Sequence, residues 1–161
     1  MVRTIQLVSL LLVAVAMALS LAHALELPGK MRLDKDTYLA VQQIYYPGFT
    51  FGGAAEPVGT IALVSLLLFA APAGTRFWWA LAALAALIGM QLVYWFVTHP
   101  VNSVWTKDLQ LSGFGAGFFS TFASDVSGDW QRLRDVWEYS HVARAALGML
   151  SFLCLTVAIM A

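Results

Sequence analysis

The sequence predicts an all-α fold: an integral membrane four-helix bundle with a polar site at one end. Three observations predict it. The chain of 161 residues is 60% hydrophobic and 11% charged, with a mean hydropathy of +0.76, whereas a soluble domain is typically about a quarter charged. Four apolar stretches, about 4–27, 56–71, 77–98 and 130–160, are separated by proline- and glycine-bearing breaks. The acidic residues gather at one end of those stretches. The length suits one domain, 1–161. Nine basic and nine acidic residues balance, so no nucleic-acid partner is indicated. The single cysteine, Cys154, cannot form an internal disulfide. There is no Cys-pair zinc motif and no Gly-rich phosphate loop.

The first stretch is uncharged from Thr4 to Ala22 and long enough to cross a bilayer. Ala22-His23-Ala24 mimics a signal-peptidase site, but the run reads as a retained first helix, ended by Pro28-Gly29. From Lys30 to Tyr46 the chain turns amphipathic. Tyr38, Val41, Ile44 and Tyr45 recur at helical spacing, which predicts a short interfacial helix. Pro47-Gly48 and Gly52-Gly53 break the chain before the second span, where Pro57 falls in the first turn and its missing N–H costs little. Residues 72–75 read as a tight turn. The third span carries Trp78 and Trp79 towards one interface and Tyr94 and Trp95 towards the other, and Pro100 ends it. Residues 112–119 are a Gly-rich run before span four that reads as a loop over the bundle mouth or a re-entrant piece, and the N-cap of span four falls at Asp125 or Asp129. The part of that last helix before Tyr139 is amphipathic and projects from the membrane.

A rise of about 1.5 Å per residue serves as a depth ruler. Arg3 to His23, Glu56 to Arg76 and His141 to Ala161 are each 20 residues, and Arg76 to His99 is 23. Each corresponds to about 30–35 Å, one hydrocarbon thickness. His23, Glu56, His99 and His141 therefore lie at one level, one from each helix, with Glu26 and Glu138 one turn further out. A lone histidine there is more often a satisfied interfacial residue. Four such groups at one depth point instead to a shared polar pocket, because intramembrane ionisable groups usually face a bundle interior or a water-filled cavity.

His23-x-x-Glu26 and Glu138-x-x-His141 lie on antiparallel helices in the same vertical order. Carboxylate-bridged dimetal proteins use paired E-x-x-H motifs with further carboxylates. The expected metal ligands are therefore His23, Glu26, Glu56, His99, Glu138 and His141. Imidazole and carboxylate suit Fe, Cu, Zn or Mn, and the alternative is no metal at all. Glu138, His141 and Arg144, at i, i+3 and i+6, are expected on one face of the last helix. Arg144 weighs against a metal unless Glu56 or Glu138 pairs with it, and suits an oxyanion better.

The His23 to Glu26 segment, His99-Pro100-Val101-Asn102 with Trp105, and Trp130, Arg134, Trp137-Glu138, His141 and Arg144 also carry a resemblance. The sequence resembles the small four-span proteins of the domain-of-unknown-function 1772 (DUF1772), or anthrone oxygenase-like, family. Some members are linked to oxidation of anthrones to anthraquinones by O₂ without a known cofactor; others have no assigned function. The resemblance implies an oxidoreductase acting on a lipophilic phenol, anthrone or quinone-like molecule. His141 or His99 would be the base, Arg144 the oxyanion stabiliser, and Glu138 and Glu26 the residues that orient the imidazoles. Trp105, Trp137 and Asn102 would line the bound molecule. The rival is a non-catalytic accessory subunit or a metal- or ligand-binding protein. The expected partners are the lipid bilayer, a lipophilic small molecule, and a second copy or a membrane subunit. The expected location is a bacterial inner membrane. Lys30, Arg32, Lys35, Lys107, Arg132 and Arg134 at the site end, against Arg3 and Arg76, place that end in the cytoplasm by the positive-inside rule.

Overall fold

The structure, a computed structural model, describes residues 2–69, 74–105, 117–119 and 129–161. Among them there is no strand. The helices are α1 (Val2–Lys30), α2 (Lys35–Gln42), α3 (Gly48–Gly52), α4 (Ala55–Leu68), α5 (Thr75–Val93), α6 (His99–Trp105) and α7 (Trp130–Met160), with a helical turn at 117–119. Four segments are long and apolar enough to cross a membrane: Val2–Lys30, Gly48–Leu68, Thr75–Trp105 and Trp130–Met160. α1 packs on α4 and α7, and α5 packs on the same two. The expected turn at 72–75 lies largely outside the described residues, as does most of the Gly-rich run.

Each long helix buries one face and exposes the others. Val13, Ala16, Leu63, Leu87, Met90 and Leu155 form the shared core. Leu11, Ile61, Phe96 and Leu153 are exposed on the other faces. α1 and α7 approach closely at Gly148, where an added Cβ would lie 3.1 Å from Met17 Cα. Small residues at such crossings let backbones meet. Ser151 donates to the Ala83 carbonyl at 2.8 Å, tying α7 to α5.

Three boundaries differ from the expectation. Pro28-Gly29 does not end α1, which runs to Lys30. Lys30 suits a helix C-terminus, where a cation complements the dipole. It also pairs with Glu26 one turn back, in the favoured Glu-to-Lys order. Pro100 does not end the third span. Tyr94–Thr98 forms a π-turn and α6 continues to Trp105. A proline ring clashes with the carbonyl four residues back; here that carbonyl belongs to Phe96, inside the wider π-turn. The second span begins earlier, with α3 leading into α4 through Gly53-Ala54.

The short helix expected after the first apolar stretch is present as α2 and a 3₁₀ turn, Gln43–Tyr45. Asp34 is the N-cap of α2, its Oδ1 accepting from Thr37 N at 2.9 Å. Tyr38 and Gln42 are buried. The start of α7 does not stand free. Leu133 and Trp137 are buried against Tyr45 and Val101 in a second apolar cluster. Asp129 is the N-cap position of α7, without a side-chain capping bond.

Candidate functional site

A cavity of about 350 Å³ lies beside the second apolar cluster, within the range of small-molecule sites. Its walls are mainly apolar and aromatic, with Tyr46, Phe49, Trp95 and Phe119 among them. Its polar groups include His23, Glu56, Asn102, His141 and Arg144. Phe51, Pro57 and Trp95, at its rim, are exposed. These three come from α3, from the start of α4 and from the turn that follows α5.

The antiparallel H-x-x-E and E-x-x-H motifs meet like to like. His23 on α1 and His141 on α7 have ring centroids 4.3 Å apart in a T-shaped contact. Both are buried. His141 Nδ1 is 2.9 Å from the Trp137 carbonyl oxygen. A carbonyl only accepts, so Nδ1 carries the proton and the neutral ring keeps its lone pair on Nε2. The orienting partner of His141 is thus its own helix backbone, not Glu138. Trp137 packs over His141 at 4.0 Å between centroids. Its indole N–H donates to Asn102 Oδ1 at 2.7 Å, which locks the wall to α6.

Arg144 and Glu56 form a buried ion pair between α7 and α4. The guanidinium also lies 5.0 Å from the centroid of Tyr94, a cation–π distance. Its Nε has no hydrogen-bond partner among the described residues. Glu56, expected as a metal ligand, instead neutralises Arg144.

Glu138 lies elsewhere. Six residues at about 100° each leave it about 120° from Arg144 around the helix, so the expected single face is split. Glu138 faces a second polar cluster centred on Lys30, a residue that the spacing argument passed over. Lys30 is only 4% exposed. Its Nζ lies 2.9 Å from Glu26 Oε2 and 3.7 Å from Glu138 Oε1. It also lies 4.6 Å from the Tyr45 ring and 4.8 Å from the Trp137 ring. Tyr38 donates to Glu138 Oε1 at 2.9 Å, and Tyr45 to Glu26 Oε2 at 2.5 Å. Burial pushes both phenols well above their usual range, and the carboxylate beside each adds to the rise. The i, i+4 pairing of Glu26 with Lys30 was the available sequence signal for this cluster.

His99 is fully buried but is not among the residues lining the cavity. It sits behind that wall, with Tyr94 Oη 3.4 Å from its Nδ1 and Phe119 stacked at 6.1 Å. Trp105 lies on the Lys30 side, 6.0 Å from Tyr38, and not against the cavity. Asn102 and Trp137 do line it. Among the described residues, no group of three His, Cys, Asp or Glu side chains is arranged to hold a metal ion. The reason is local. Glu56 is taken by Arg144, while Glu26 and Glu138 are taken by Lys30 and two phenols. The donor set does not fit the dimetal pattern. No family model, curated protein or solved structure matches the chain.

Proposed function

We propose that the four long helices form a transmembrane bundle and that the protein is an oxidoreductase for a lipophilic phenol, anthrone or quinone-like molecule. The observation that carries this reading is the aromatic cavity lined together by His141, whose Nε2 is uncommitted, and by the Arg144–Glu56 pair. The exposed apolar faces of α1, α4, α5 and α7 support the membrane setting, since soluble monomers rarely expose large contiguous apolar patches. The exposed rim at Phe51 and Trp95 would admit a ligand from lipid.

His141 Nε2 would take an acidic O–H or C–H proton. Arg144 would stabilise the oxyanion that results, with Glu56 holding its guanidinium in place. Dioxygen, the oxidant that the family resemblance implies, would then react with the electron-rich anion. For an anthrone the balance is one ring methylene and one O₂ to one ring carbonyl and one water. The accessory-subunit rival shares the cavity, but its docking face is reduced, because Leu133 and Trp137 turn inward.

The test is oxygen uptake and absorbance change with full-length protein in lipid nanodiscs, against a panel of anthrones and hydroquinones. Turnover that His141→Ala abolishes supports the reading. Binding without turnover, in every member of the panel, favours the ligand-binding rival.

A further inference from the structure

Lys30 is buried, takes no part in the proposed proton removal, and reaches into the histidine pair. Its Nζ lies 3.4 Å from His23 Nδ1. An ammonium has protons to give and no lone pair. It therefore fixes His23 Nδ1 as an acceptor, which leaves the proton of the neutral ring on Nε2. The cation is itself held by Glu26, Glu138 and the rings of Tyr45 and Trp137. His141 is set the opposite way by the Trp137 carbonyl. Neither Nε2 has a hydrogen-bond partner among the described residues, and both rings line the cavity.

We propose that Lys30 is a positioning residue that fixes the tautomer of His23, so that the two imidazoles meet a ligand as one N–H donor and one lone-pair acceptor. The pair would take a molecule carrying an acceptor oxygen beside an acidic hydrogen. This deepens the reading in which His141 is the base and rests on it for the ligand's chemistry; the tautomer assignment itself does not depend on turnover.

The competing partner for His23 Nδ1 is Glu26 Oε2, at 3.8 Å. An ionised carboxylate only accepts. Without the ammonium, Nδ1 gains an acceptor neighbour and the proton preference reverses. The sequence has three histidines, so ¹⁵N-histidine spectra of the full chain in nanodiscs can be assigned with His23→Gln and His99→Gln. Long-range ¹H–¹⁵N patterns distinguish the tautomers directly. In the wild type, His23 is expected as Nε2–H and His141 as Nδ1–H. Lys30→Met should convert His23 to Nδ1–H and leave His141 unchanged, and Lys30→Arg should restore the wild-type pattern. Lys30→Met strands Glu138, so Lys30→Met/Glu138→Gln supplies the same readout without a lone buried carboxylate. A wild-type His23 already in the Nδ1–H form, or an unchanged His23 in the folded double variant, overturns the proposal. Either result leaves the role of His141 intact. Conversely, an absence of turnover on the panel of anthrones and hydroquinones leaves the tautomer result standing.

Discussion

Arg144 and Glu56, 88 residues apart in sequence, close a buried ion pair in which guanidinium Nη2 donates to carboxylate Oε1. Breaking a buried pair from one side strands a charge, at a cost of about 3–5 kcal/mol. Arg144→Met should therefore lower stability by about that amount, read by denaturant titration in detergent micelles. Replacing both charges, as Arg144→Met/Glu56→Gln, should recover most of the loss while abolishing any oxidation the cavity supports. A double variant no more stable than the single one would show that the pair is not what holds α7 to α4.

Tyr38 and Tyr45 fasten the α2 segment to carboxylates on α7 and α1. Hydrogen bonds to charged groups are worth about 1.5–3 kcal/mol. Tyr38→Phe should cost about that much and raise hydrogen exchange over 35–45, with the four long helices unaffected. Unchanged exchange there would mean that packing alone retains α2.

The same phenols predict an alkaline limit. Burial raises Tyr38, Tyr45 and Tyr46 well above the ordinary value near 10, and the charges of Glu138 and Glu26 add to the rise for Tyr38 and Tyr45. The folded chain keeps its phenolic protons where the unfolded chain has lost them, so stability falls as pH rises above about 10. Each such group contributes a slope of about 1.4 kcal/mol per pH unit. Absorbance titration should show these tyrosines ionising only on unfolding, and Tyr38→Phe/Tyr45→Phe should flatten the stability slope above pH 10.

Orientation is tested with fusions. The six-to-two excess of Lys and Arg at the site end predicts that Ala161 faces away from the cytoplasm. A reporter active only outside the cytoplasm should work when fused after Ala161. A fusion at Ala161 that is active only inside reverses the assignment.

The ruler of helical rise set His23 level with His141, and the two rings do meet, because counting residues along two antiparallel helices fixes their relative height. It could not fix direction around each axis. His99 is absent from the cavity lining and follows a π-turn that no spacing argument showed. Glu138 and Arg144 share a helix but serve different clusters, for the same azimuthal reason. Lys30 was hidden by Pro28-Gly29, which reads as a stop. The helix end instead stays wound, closed by hydrogen bonds such as Met31 N to the Leu27 carbonyl at 3.0 Å, with the Glu26–Lys30 pair across the proline. The all-α character and the four apolar segments were legible because composition and apolar run length report them without any tertiary information.

The π-turn at Tyr94–Thr98 sets what changes in chain length this region tolerates. A π-bulge amounts to one residue inserted into an α-helix, and one residue is about 100° of rotation. Tyr94, its first residue, meets Arg144, and Asn102 beyond it meets Trp137. Excising a single residue between Val93 and His99 would leave a smooth helix of ordinary winding. Asn102 would then swing by about a quarter turn away from its indole partner. Substitutions in this stretch should be accommodated far better than deletions, because what is held constant there is the count of residues rather than their chemistry.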